Sequence, residues 1–398
     1  MSGPPRAIAV VGAGAAGLTA AETLRESGFD GRLTLVGAER HLPYDRPPLS
    51  KQVLLGVLGP ERLALRAPDR YRDLGLDLRL GTRAAGLDTA RRVVRLADGA
   101  EVGYDGLVIA TGVRPRRLGA VERFTGVLYL RDLEDALDLR ERLPMARHTV
   151  VVGAGFLGVE IAAAARALGG EVTVVDPLPY PMVRQFGPVL GQRVRTACEA
   201  LGVAFRLGTG VRGVGAGPGG RRAVHLDDGT VLTTDLVVAA VGAQPATGWL
   251  AGSGLDLAGG VCCDAYCKAA DGVYVAGDVA SNPDPATGAR HRFEHRMNAT
   301  EQGRCAALNL LGAGQEFTPS RFFWTDVGEL RVQAVGAFPE GGVLSCPEGS
   351  LDDERFVATH SVDGVVTGVL GWNSARQFTR ARRLLGTRAA EPSGAGHH

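Results

Sequence analysis

The feature that most constrains this chain is a strand–glycine–helix pattern that occurs twice. Residues 7–17 read AIAVVGAGAAG, in which an apolar β-branched run leads into a glycine turn and a helix-forming stretch. Residues 149–158 read TVVVGAGFLG and repeat the pattern. A single GxGxxG is weak evidence, but each copy here also precedes an acidic residue, Glu39 or Asp176, by about twenty positions. Two complete copies predict two dinucleotide-binding units.

The three glycines of each copy have distinct physical roles. The first allows a tight strand-to-helix turn, the second lets the backbone approach a pyrophosphate, and the third lets the helix pack on the strand. The phosphates then lie at the helix N-terminus, where free N–H groups and the helix dipole favour anions. The alternative is a pair of glycine-rich turns that bind no ligand. The residues expected at the two phosphate turns are Gly12, Gly14, Ala15, Ala16 and Gly17, and Gly153, Gly155, Phe156, Leu157 and Gly158.

A second pair of similar segments, one downstream of each copy, indicates how the domains are divided. The segment YDGLVIATGVRP (104–115) resembles TDLVVAAVGAQP (234–245), and each is a buried strand that ends in Gly and then Pro. A further strand within residues 272–280 belongs by its pattern to the first sheet, so the first domain is expected to be discontinuous. Strand-like runs near the C-terminus predict a small third domain with antiparallel pairing.

The predicted fold class is α/β, with two Rossmann-like dinucleotide-binding domains and a small α+β C-terminal domain. A length of 398 residues suits two or three domains. The expected segments are 1–115 for the first dinucleotide-binding domain, 116–246 for the second, 247–320 for the return to the first, 321–388 for the C-terminal domain and 389–398 for a disordered tail.

Composition excludes several classes of function. The net charge is +1 with both signs mixed along the chain, so no basic field favours nucleic acid as a partner. No apolar run approaches the ~18 residues of a membrane span, and the N-terminus lacks the pattern of a signal peptide. The six cysteines have no pairable pattern, which is typical of a reduced cytoplasmic protein. We expect a cytoplasmic monomer or homodimer.

Several motifs, in the same order along roughly residues 6–385, resemble the oxygenase-coupled ferredoxin reductases. These two-dinucleotide-binding flavoproteins include putidaredoxin, rubredoxin and biphenyl dioxygenase reductases. The most specific motif is LPYDRPPLSK at 42–51. The other motifs, besides the two glycine turns, are ATG at 110–112, YLRDLEDA at 129–136, AGDVA at 276–280, EHRMNATEQG at 294–303 and FFWTD at 322–326.

The resemblance implies which cofactors bind and where the electrons go. The first domain would hold FAD, the second NAD(P)H, and the C-terminal domain would cover the flavin. Hydride would pass from nicotinamide C4 to flavin N5, and single electrons would then reach a ferredoxin or similar small iron–sulfur protein that serves a cytochrome P450 or Rieske oxygenase. Disulfide reductases of the same superfamily carry a redox-active cysteine shortly after the first unit, whereas the first cysteine here is Cys198. The resemblance therefore implies an external acceptor.

Two residues are expected to act in catalysis. Lys51 ends the LPYDRPPLSK motif and, with Lys268, is one of two lysines in a chain with 42 arginines. By resemblance Lys51 lies at the flavin N5/O4 edge, where a compact ammonium stabilises the anionic reduced flavin. The alternative is a surface lysine that escaped the arginine bias. Glu160 is implied to lie near Lys51 and the nicotinamide carboxamide, although a first-turn carboxylate matched to the helix dipole is a compatible alternative.

The resemblance also implies the remaining contacts with FAD. Asp278 matches a residue that binds the ribityl and pyrophosphate region, and it could also cap the next helix. Trp324 matches a residue near the isoalloxazine ring, although a place in the ordinary core is the alternative. The other positions implied to contact FAD are Ala38, Glu39, Arg46, Ala84, Thr111, Gly112, Arg131, Gly277, Glu294, His295 and Arg296.

Asp176 bears on the choice between NADH and NADPH. Its carboxylate accepts a hydrogen bond from a ribose 2′-hydroxyl and repels a 2′-phosphate, which predicts that NADH is preferred. By resemblance Arg184 helps to hold the nucleotide, and Gly242 also contacts it. Tyr180 stands where the family often has a second arginine.

Three positions depart from the family pattern. Arg296 replaces a usual tryptophan beside the pyrimidine edge of the flavin, and Val327-Gly328 follow FFWTD where the family reads FWSDQY. The family often has an acidic residue at Ala38, which leaves Glu39 as the candidate for the ribose. The first two departures bear on access to the flavin and on the docking face, and hence on the identity of the acceptor.

Two further clusters are expected to carry no chemistry. His291 and His295 lie four apart, which on a helix could bind a metal ion, but no third ligand is nearby, so no metal site is predicted. Cys262 and Cys263 stand where the family has apolar residues and are expected to be buried, inert thiols.

Two alternative functions stay open at the level of the sequence. An NADH oxidase or a tailoring flavoenzyme would pass electrons to oxygen, a quinone or a small organic acceptor, which suits the departures at Arg296 and Val327-Gly328. A signalling flavoprotein of the apoptosis-inducing-factor kind would instead change its assembly when NADH reduces it.

Overall fold

The computed structural model describes residues 5–119, 123–284, 288–319 and 321–389. Apart from Ala389, the predicted tail 389–398 lies outside these described residues. The chain divides into two compact units. The first unit comprises Met1–Arg46, Pro60–Arg114 and Ala243–Ser320, and the second comprises Pro47–Gly59, Pro115–Gly242 and Arg321–His398.

The helices of the described chain are mostly short connections between strands. Of these, α1 and α4 follow the two glycine turns directly, and both are rich in alanine and buried along most of their length. The α-helices are α1 Ala15–Glu26, α2 Pro68–Asp73, α3 Leu133–Arg142, α4 Phe156–Ala167, α5 Val183–Ala200, α6 Arg296–Leu310 and α7 Ala375–Ala381. The 3-10 turns are Pro47–Ser50, Pro60–Arg62, Leu143–Met145, Pro218–Gly220, Gly248–Leu250, Gly277–Val279 and Arg382–Leu384.

The first unit is built on a six-stranded sheet with the glycine-turn strand Ala7–Val11 near its centre. Arg32–Val36 pairs with this strand on one side and Gly106–Ile109 on the other, both parallel. Because the chain leaves neighbouring strands in opposite directions here, the carboxyl end of Ala7–Val11 is the switch point at which such sheets bind ligands. The strands in spatial order are Lys268–Ala270, Val273–Val275, Gly106–Ile109, Ala7–Val11, Arg32–Val36 and Leu76–Arg79.

Strand pairing in this sheet confirms the prediction that a strand within residues 272–280 returns to the first sheet. Val273–Val275, from the predicted strand 272–280, pairs in parallel with Gly106–Ile109 of the first sheet. The unit also contains two three-stranded sheets. Their strands are Ala84–Asp88, Val93–Leu96 and Glu101–Gly103, and Val261–Cys262, Ala280–Pro283 and Arg290–His291. Separately, Val113–Pro115 and Ala243–Pro245 form a two-stranded ribbon.

The second unit repeats this architecture with an all-parallel sheet. Its glycine-turn strand His148–Val152 is flanked by Glu171–Asp176 and Leu236–Ala239, so it also ends at a switch point. The strands in spatial order are Val203–Leu207, Glu171–Asp176, His148–Val152, Leu236–Ala239 and Val127–Tyr129. A three-stranded antiparallel sheet accompanies it, with strands Val211–Ala216, Arg222–Leu226 and Val231–Thr234.

The C-terminal segment adds a five-stranded antiparallel sheet to the second unit. Helix α7 packs on this sheet, and its Phe378 lies so close to Gly371 that a Cβ on the glycine would come within 2.6 Å of it. The strands in spatial order are Phe322–Val327, Leu330–Gly336, Val365–Trp372, Phe356–Val362 and Val343–Glu348. With this sheet in place, the predicted fold class is confirmed.

One segment falls in a different unit from the one its place in the sequence suggests. Pro47–Gly59 lies within the expected first domain 1–115, yet it belongs to the second unit. The reason is local packing, because the 3-10 turn Pro47–Ser50 contacts both α3 and α4. Lys51 therefore shares a unit with Glu160. No helix among the described residues is both long enough and apolar enough to cross a bilayer.

Candidate active site

The first glycine turn has the geometry that a bound pyrophosphate requires. Gly12 adopts φ +118°, and a Cβ there would lie 2.1 Å from the Ala110 carbonyl oxygen. A Cβ on Gly17 would lie 1.8 Å from the Gly12 carbonyl oxygen, so the third glycine lets α1 approach the turn. At Gly14, in contrast, a Cβ would meet no atom within 4 Å. Open space therefore lies over the N-terminus of α1, where no side chain caps the helix.

The second glycine turn repeats the first nearly atom for atom. Gly153 has φ +107° and faces the Ala240 carbonyl oxygen, while a Cβ on Gly158 would come within 1.9 Å of the Gly153 carbonyl oxygen. A Cβ on Gly155 would again meet nothing within 4 Å, and α4 begins after it without a side-chain cap. Each turn thus presents an open cradle at an uncapped helix N-terminus, which fits a dinucleotide phosphate.

The acidic residues that follow the turns are already hydrogen-bonded within the protein. Glu39 accepts from the Tyr44 hydroxyl and from Arg46, both at 2.5 Å, and Ala38 precedes it without a polar side chain. Asp176 accepts from the backbone N–H of Ala154 at 2.7 Å and of Leu178 at 2.8 Å. Asp176 therefore also ties the second glycine turn to the end of the adjacent strand.

Gly277, which precedes Asp278, packs against Ala16 at the start of α1, next to the first glycine turn. A Cβ on Gly277 would come within 3.0 Å of Ala16, and the Gly277 N–H donates to the buried Gln302 side chain at 2.9 Å. Asp278 lies inside the 3-10 turn Gly277–Val279, whose N-cap residue is Ala276, and the N-cap residue of the next helix, α6, is His295.

Three residues implied to contact FAD lie at the start of α6, namely Glu294, His295 and Arg296. His295 is the N-cap residue of α6, and burial lowers the pKa of its imidazole, an effect that the nearby Asp278 partly offsets. Glu294 is exposed and pairs with Arg292 at 2.8 Å. Because His291 lies in a strand and His295 at a helix cap, the two do not form one helical face. Among the described residues no group of three potential ligands could hold a metal ion.

The other predicted positions of the first unit are held by the backbone around them. The Thr111 hydroxyl donates to the Ala246 carbonyl oxygen at 3.1 Å, and Gly112 has φ +66° and accepts from the Ala246 N–H. Ala84 begins the strand Ala84–Asp88 and is buried. Asn298, which sequence reasoning missed, lies in the first turn of α6 with a buried Oδ1 that has no hydrogen-bond partner in the described chain. A bound donor would satisfy this acceptor.

The second unit holds a buried ion pair between the two predicted catalytic residues. Lys51 Nζ lies 2.9 Å from Glu160 Oε1, and the two side chains are 11% and 7% exposed. Glu160 also accepts from the Ser50 hydroxyl at 2.5 Å and from the Thr325 hydroxyl at 2.7 Å. Because the Lys51 side chain is largely buried in an ion pair, the alternative of a surface lysine is wrong. Glu160 is the fifth residue of α4, beyond its first turn, so the first-turn dipole alternative is wrong as well.

Ser50 and Thr325 were not among the residues that the sequence singled out. Ser50 directly precedes Lys51 in the most specific motif, and Thr325 lies in the FFWTD motif beside Trp324. Trp324 is half-buried on the opposite face of its strand and stacks on Phe322 at a centroid distance of 5.8 Å. The sequence pattern that could have indicated Thr325 is the alternation of side chains along a strand, because Thr325 and Val327 are the buried positions of the strand Phe322–Val327.

The remaining predicted residues of the second unit are spread around α3, α4 and α5. Phe156 and Leu157 open α4, and the Phe156 ring contacts those of Phe186 and Phe323. Arg131 precedes the N-terminus of α3 and its backbone N–H donates to Asp135 at 2.8 Å. Two more positions lie elsewhere in this unit, namely the exposed Arg184 in α5 and Gly242 with φ +93°.

Two of the departures from the family pattern have local structural explanations. Arg296, the first residue of α6, bonds Asp45 through Nε at 2.5 Å. Val327 is buried and pairs with Leu330, which makes Gly328 the first residue of a two-residue hairpin turn. Gly328 has φ +60°, as the first position of such a turn demands. The Val327-Gly328 departure is therefore explained by turn chemistry.

Comparison with known proteins identifies the family. A family model described as pyridine nucleotide-disulphide oxidoreductase matches residues 6–303. The chain belongs to this family. A second model, described as reductase C-terminal, matches residues 322–395. The chain is thus an oxidoreductase with an added C-terminal domain.

Relatives within the pyridine nucleotide-disulphide oxidoreductase family match along almost the full length. Rhodocoxin reductase of Rhodococcus erythropolis is 36% identical over 96% of this chain and 89% of its own length. The ferredoxin–NAD(+) reductase component of the anthranilate 1,2-dioxygenase system of Burkholderia cepacia is 36% identical over 94% of this chain and 93% of its own length. A chain in the structure of a covalent putidaredoxin reductase–putidaredoxin complex superimposes with a TM-score of 0.90 at 32% identity. The match covers 97% of this chain and 94% of that chain. The predicted resemblance to ferredoxin reductases is confirmed.

The cysteines bear on whether a protein thiol could carry electrons. All six lie within the described residues and all are free. Cys262 and Cys263 are buried, as predicted, and burial raises the pKa of the Cys263 thiol to about 12. Burial likewise raises the pKa of Cys198 to about 12. These thiols are poorly suited to redox exchange, which requires a thiolate.

Proposed function

We propose that this oxidoreductase is an FAD-dependent NADH:ferredoxin reductase. Segments 1–115 and 247–320 would form the FAD-binding domain, 116–246 the NADH-binding domain, and 321–388 a domain that covers the flavin. A small iron–sulfur protein that serves a cytochrome P450 or Rieske oxygenase would accept the electrons. The enzyme would act in the cytoplasm as a monomer or homodimer.

The observation that carries this proposal is the extent of the likeness to the reductases of oxygenase systems. It covers 94–96% of the chain at 36% identity and includes the C-terminal domain. Rhodocoxin reductase and the anthranilate dioxygenase component are both named as reductases, the second of a ferredoxin. A further support is the chain's lack of any cysteine before Cys198, because electrons then have no protein disulfide to pass through.

When bound, the flavin would accept a hydride from NADH and release electrons singly, so the protein needs no general base for this chemistry. The two open glycine turns would hold the pyrophosphates at the N-termini of α1 and α4. Lys51 would supply positive charge where negative charge accumulates on reduction, since a buried ammonium acts through a lower effective dielectric constant than an exposed one. Glu160 would hold that ammonium in place.

We further propose that NADH is preferred over NADPH. Asp176 stands at the carboxyl end of its strand, beside the second glycine turn, and its carboxylate would repel a 2′-phosphate. Its two backbone hydrogen bonds leave lone pairs for a ribose hydroxyl, because an ionised carboxylate has about four acceptor positions.

Anaerobic stopped-flow spectroscopy of the purified flavoprotein tests the function. NADH should bleach the flavin rapidly, and NADPH should do so with a much lower kcat/KM. In air, cytochrome c reduction should depend on added ferredoxin, for which putidaredoxin is a suitable probe. Peroxide release that accounts for all NADH oxidised, with or without ferredoxin, would instead identify an oxidase. Slow reduction together with NADH-dependent dimerisation would identify a signalling flavoprotein.

A further inference from the structure

We propose that Ser50 and Thr325 are positioning residues that fix the Glu160 carboxylate and, through it, the Lys51 ammonium. The inference rests on the proposed function, in which Lys51 acts at the reacting centre. It assigns the C-terminal segment, through Thr325, a part in the reductive chemistry in addition to covering the cofactor.

The contacts around Glu160 form a closed set of donors. Glu160 Oε2 accepts from Ser50 Oγ at 2.5 Å, and Glu160 Oε1 accepts from Thr325 Oγ1 at 2.7 Å and from Lys51 Nζ at 2.9 Å. Both hydroxyl residues are buried, Ser50 at 4% and Thr325 at 1% exposure. The three donors come from two places in the sequence, the adjacent pair Ser50-Lys51 and Thr325, with Ser50 110 positions before Glu160 and Thr325 165 positions after it.

Both hydroxyl groups act as donors because an ionised carboxylate can only accept. A hydrogen bond to a charged group contributes more than one between neutral groups. Removing either hydroxyl therefore frees one direction of the carboxylate and weakens its hold on Lys51.

Lys51 retains a donor for a ligand. Besides Glu160, its ammonium donates to the Pro47 carbonyl oxygen at 3.3 Å. These are its two polar partners among the described residues, whereas an ammonium carries three N–H groups. With two of the three directions fixed by protein, the third has a defined orientation. The orientation depends on Glu160 and therefore on Ser50 and Thr325.

The scarcity of lysine permits a direct test of this arrangement without an activity assay. Labelling the holoenzyme with lysine carrying ¹⁵N at Nζ gives two side-chain signals, from Lys51 and Lys268. At neutral pH the Lys51 Nζ–H signal should persist, because its protons are buried and hydrogen-bonded, while the signal of Lys268, 42% exposed, should be lost to exchange with water. S50A and T325V should weaken or shift the Lys51 signal, and T325S should preserve it. An unchanged Lys51 signal in both S50A and T325V would overturn the proposal.

Kinetics then test whether positioning acts through Glu160. In T325V the rate of flavin reduction at saturating NADH should fall by about tenfold, with little change in the Kd for NADH. In an E160Q background the same T325V substitution should have almost no further effect, since the partner through which it acts is already altered. Equal effects of T325V in both backgrounds would contradict the proposal. If the wild-type protein is not reduced by NADH at all, the proposed function fails first, and the NMR result still decides the positioning.

Discussion

At the scale of single residues, Lys51 carries the strongest prediction. The chain has 42 arginines and two lysines, and Lys51 is the one held in a buried ion pair. We expect K51A to retain FAD but to reduce the rate of flavin reduction by NADH by about 100-fold, a loss typical of removing one charged group from a reacting centre. K51R should restore little of the lost reduction rate, because a guanidinium is larger than an ammonium and planar.

Lys268 provides the matched control for this substitution. Its ammonium lies 3.8 Å from Asp271 at an exposed position. K268A should leave both flavin content and the reduction rate unchanged. Stopped-flow absorbance at the flavin band measures all three variants, and a K51A protein reduced as fast as K268A would remove Lys51 from the chemistry.

At the scale of structural elements, the two glycine turns allow the two cofactor sites to be separated. Gly14 and Gly155 adopt negative φ angles and have open space where a Cβ would lie. Alanine at either position should therefore leave the fold intact, with a melting temperature within a few degrees of the wild type. We expect G14A to lose FAD during purification, and G155A to retain FAD while its KM for NADH rises at least tenfold, since the Cβ occupies the phosphate cradle.

Alanine at the third glycine of each turn, in contrast, should destabilise the fold. A Cβ on Gly17 would come within 1.8 Å of a backbone oxygen, and one on Gly158 within 1.9 Å. G17A and G158A should therefore lower stability by several kcal/mol and reduce soluble yield. Circular dichroism melting curves separate the two classes. If G14A unfolds as readily as G17A, the space over the helix N-terminus is not a binding cradle.

The same elements explain how far sequence reasoning could reach. The glycine turns and their strands were predictable, because three glycines at fixed spacing encode a local turn that needs no distant partner. The hairpin at Gly328 was predictable in principle from turn chemistry. The contacts of Glu160 with Ser50 and Thr325 were not, since they join positions more than 100 residues apart. Such contacts depend on packing between elements rather than on local pattern. The roles of the individual site residues stay predictions.

At the scale of the whole molecule, the free cysteines predict insensitivity to thiol reagents. Five of the six are buried, and Cys346, in the strand Val343–Glu348, is partly exposed. We expect N-ethylmaleimide to add at most one label under native conditions, as read by intact mass, and to leave NADH-dependent ferredoxin reduction unchanged. Inactivation in step with a first or second label would place a thiol on the electron path and contradict an external acceptor.

The stability of the molecule should also fall in mild acid, and His360 provides a specific cause. Its ring is buried in the C-terminal sheet, with Nδ1 2.9 Å from the Thr367 hydroxyl and the Phe338 ring 5.6 Å away. Burial lowers the pKa of His360 below its ordinary value of 6.5. The unfolded chain therefore takes up this proton at a higher pH than the folded chain does. The stabilising difference is complete above pH 6.5 and is lost as the pH falls through the window below it.

Substituting His360 by asparagine isolates this contribution. Asparagine keeps a polar atom toward Thr367 but does not titrate, so H360N should be less stable than the wild type at neutral pH, through lost packing, while its melting temperature declines less between neutral pH and about pH 5. The control is H291N, because His291 is 45% exposed and its loss should leave the decline unchanged. Calorimetric scans of the three proteins at each pH measure how steeply each melting temperature declines, which gives one slope for each protein. Parallel slopes for H360N and the wild type would mean that groups other than His360 account for the acid sensitivity.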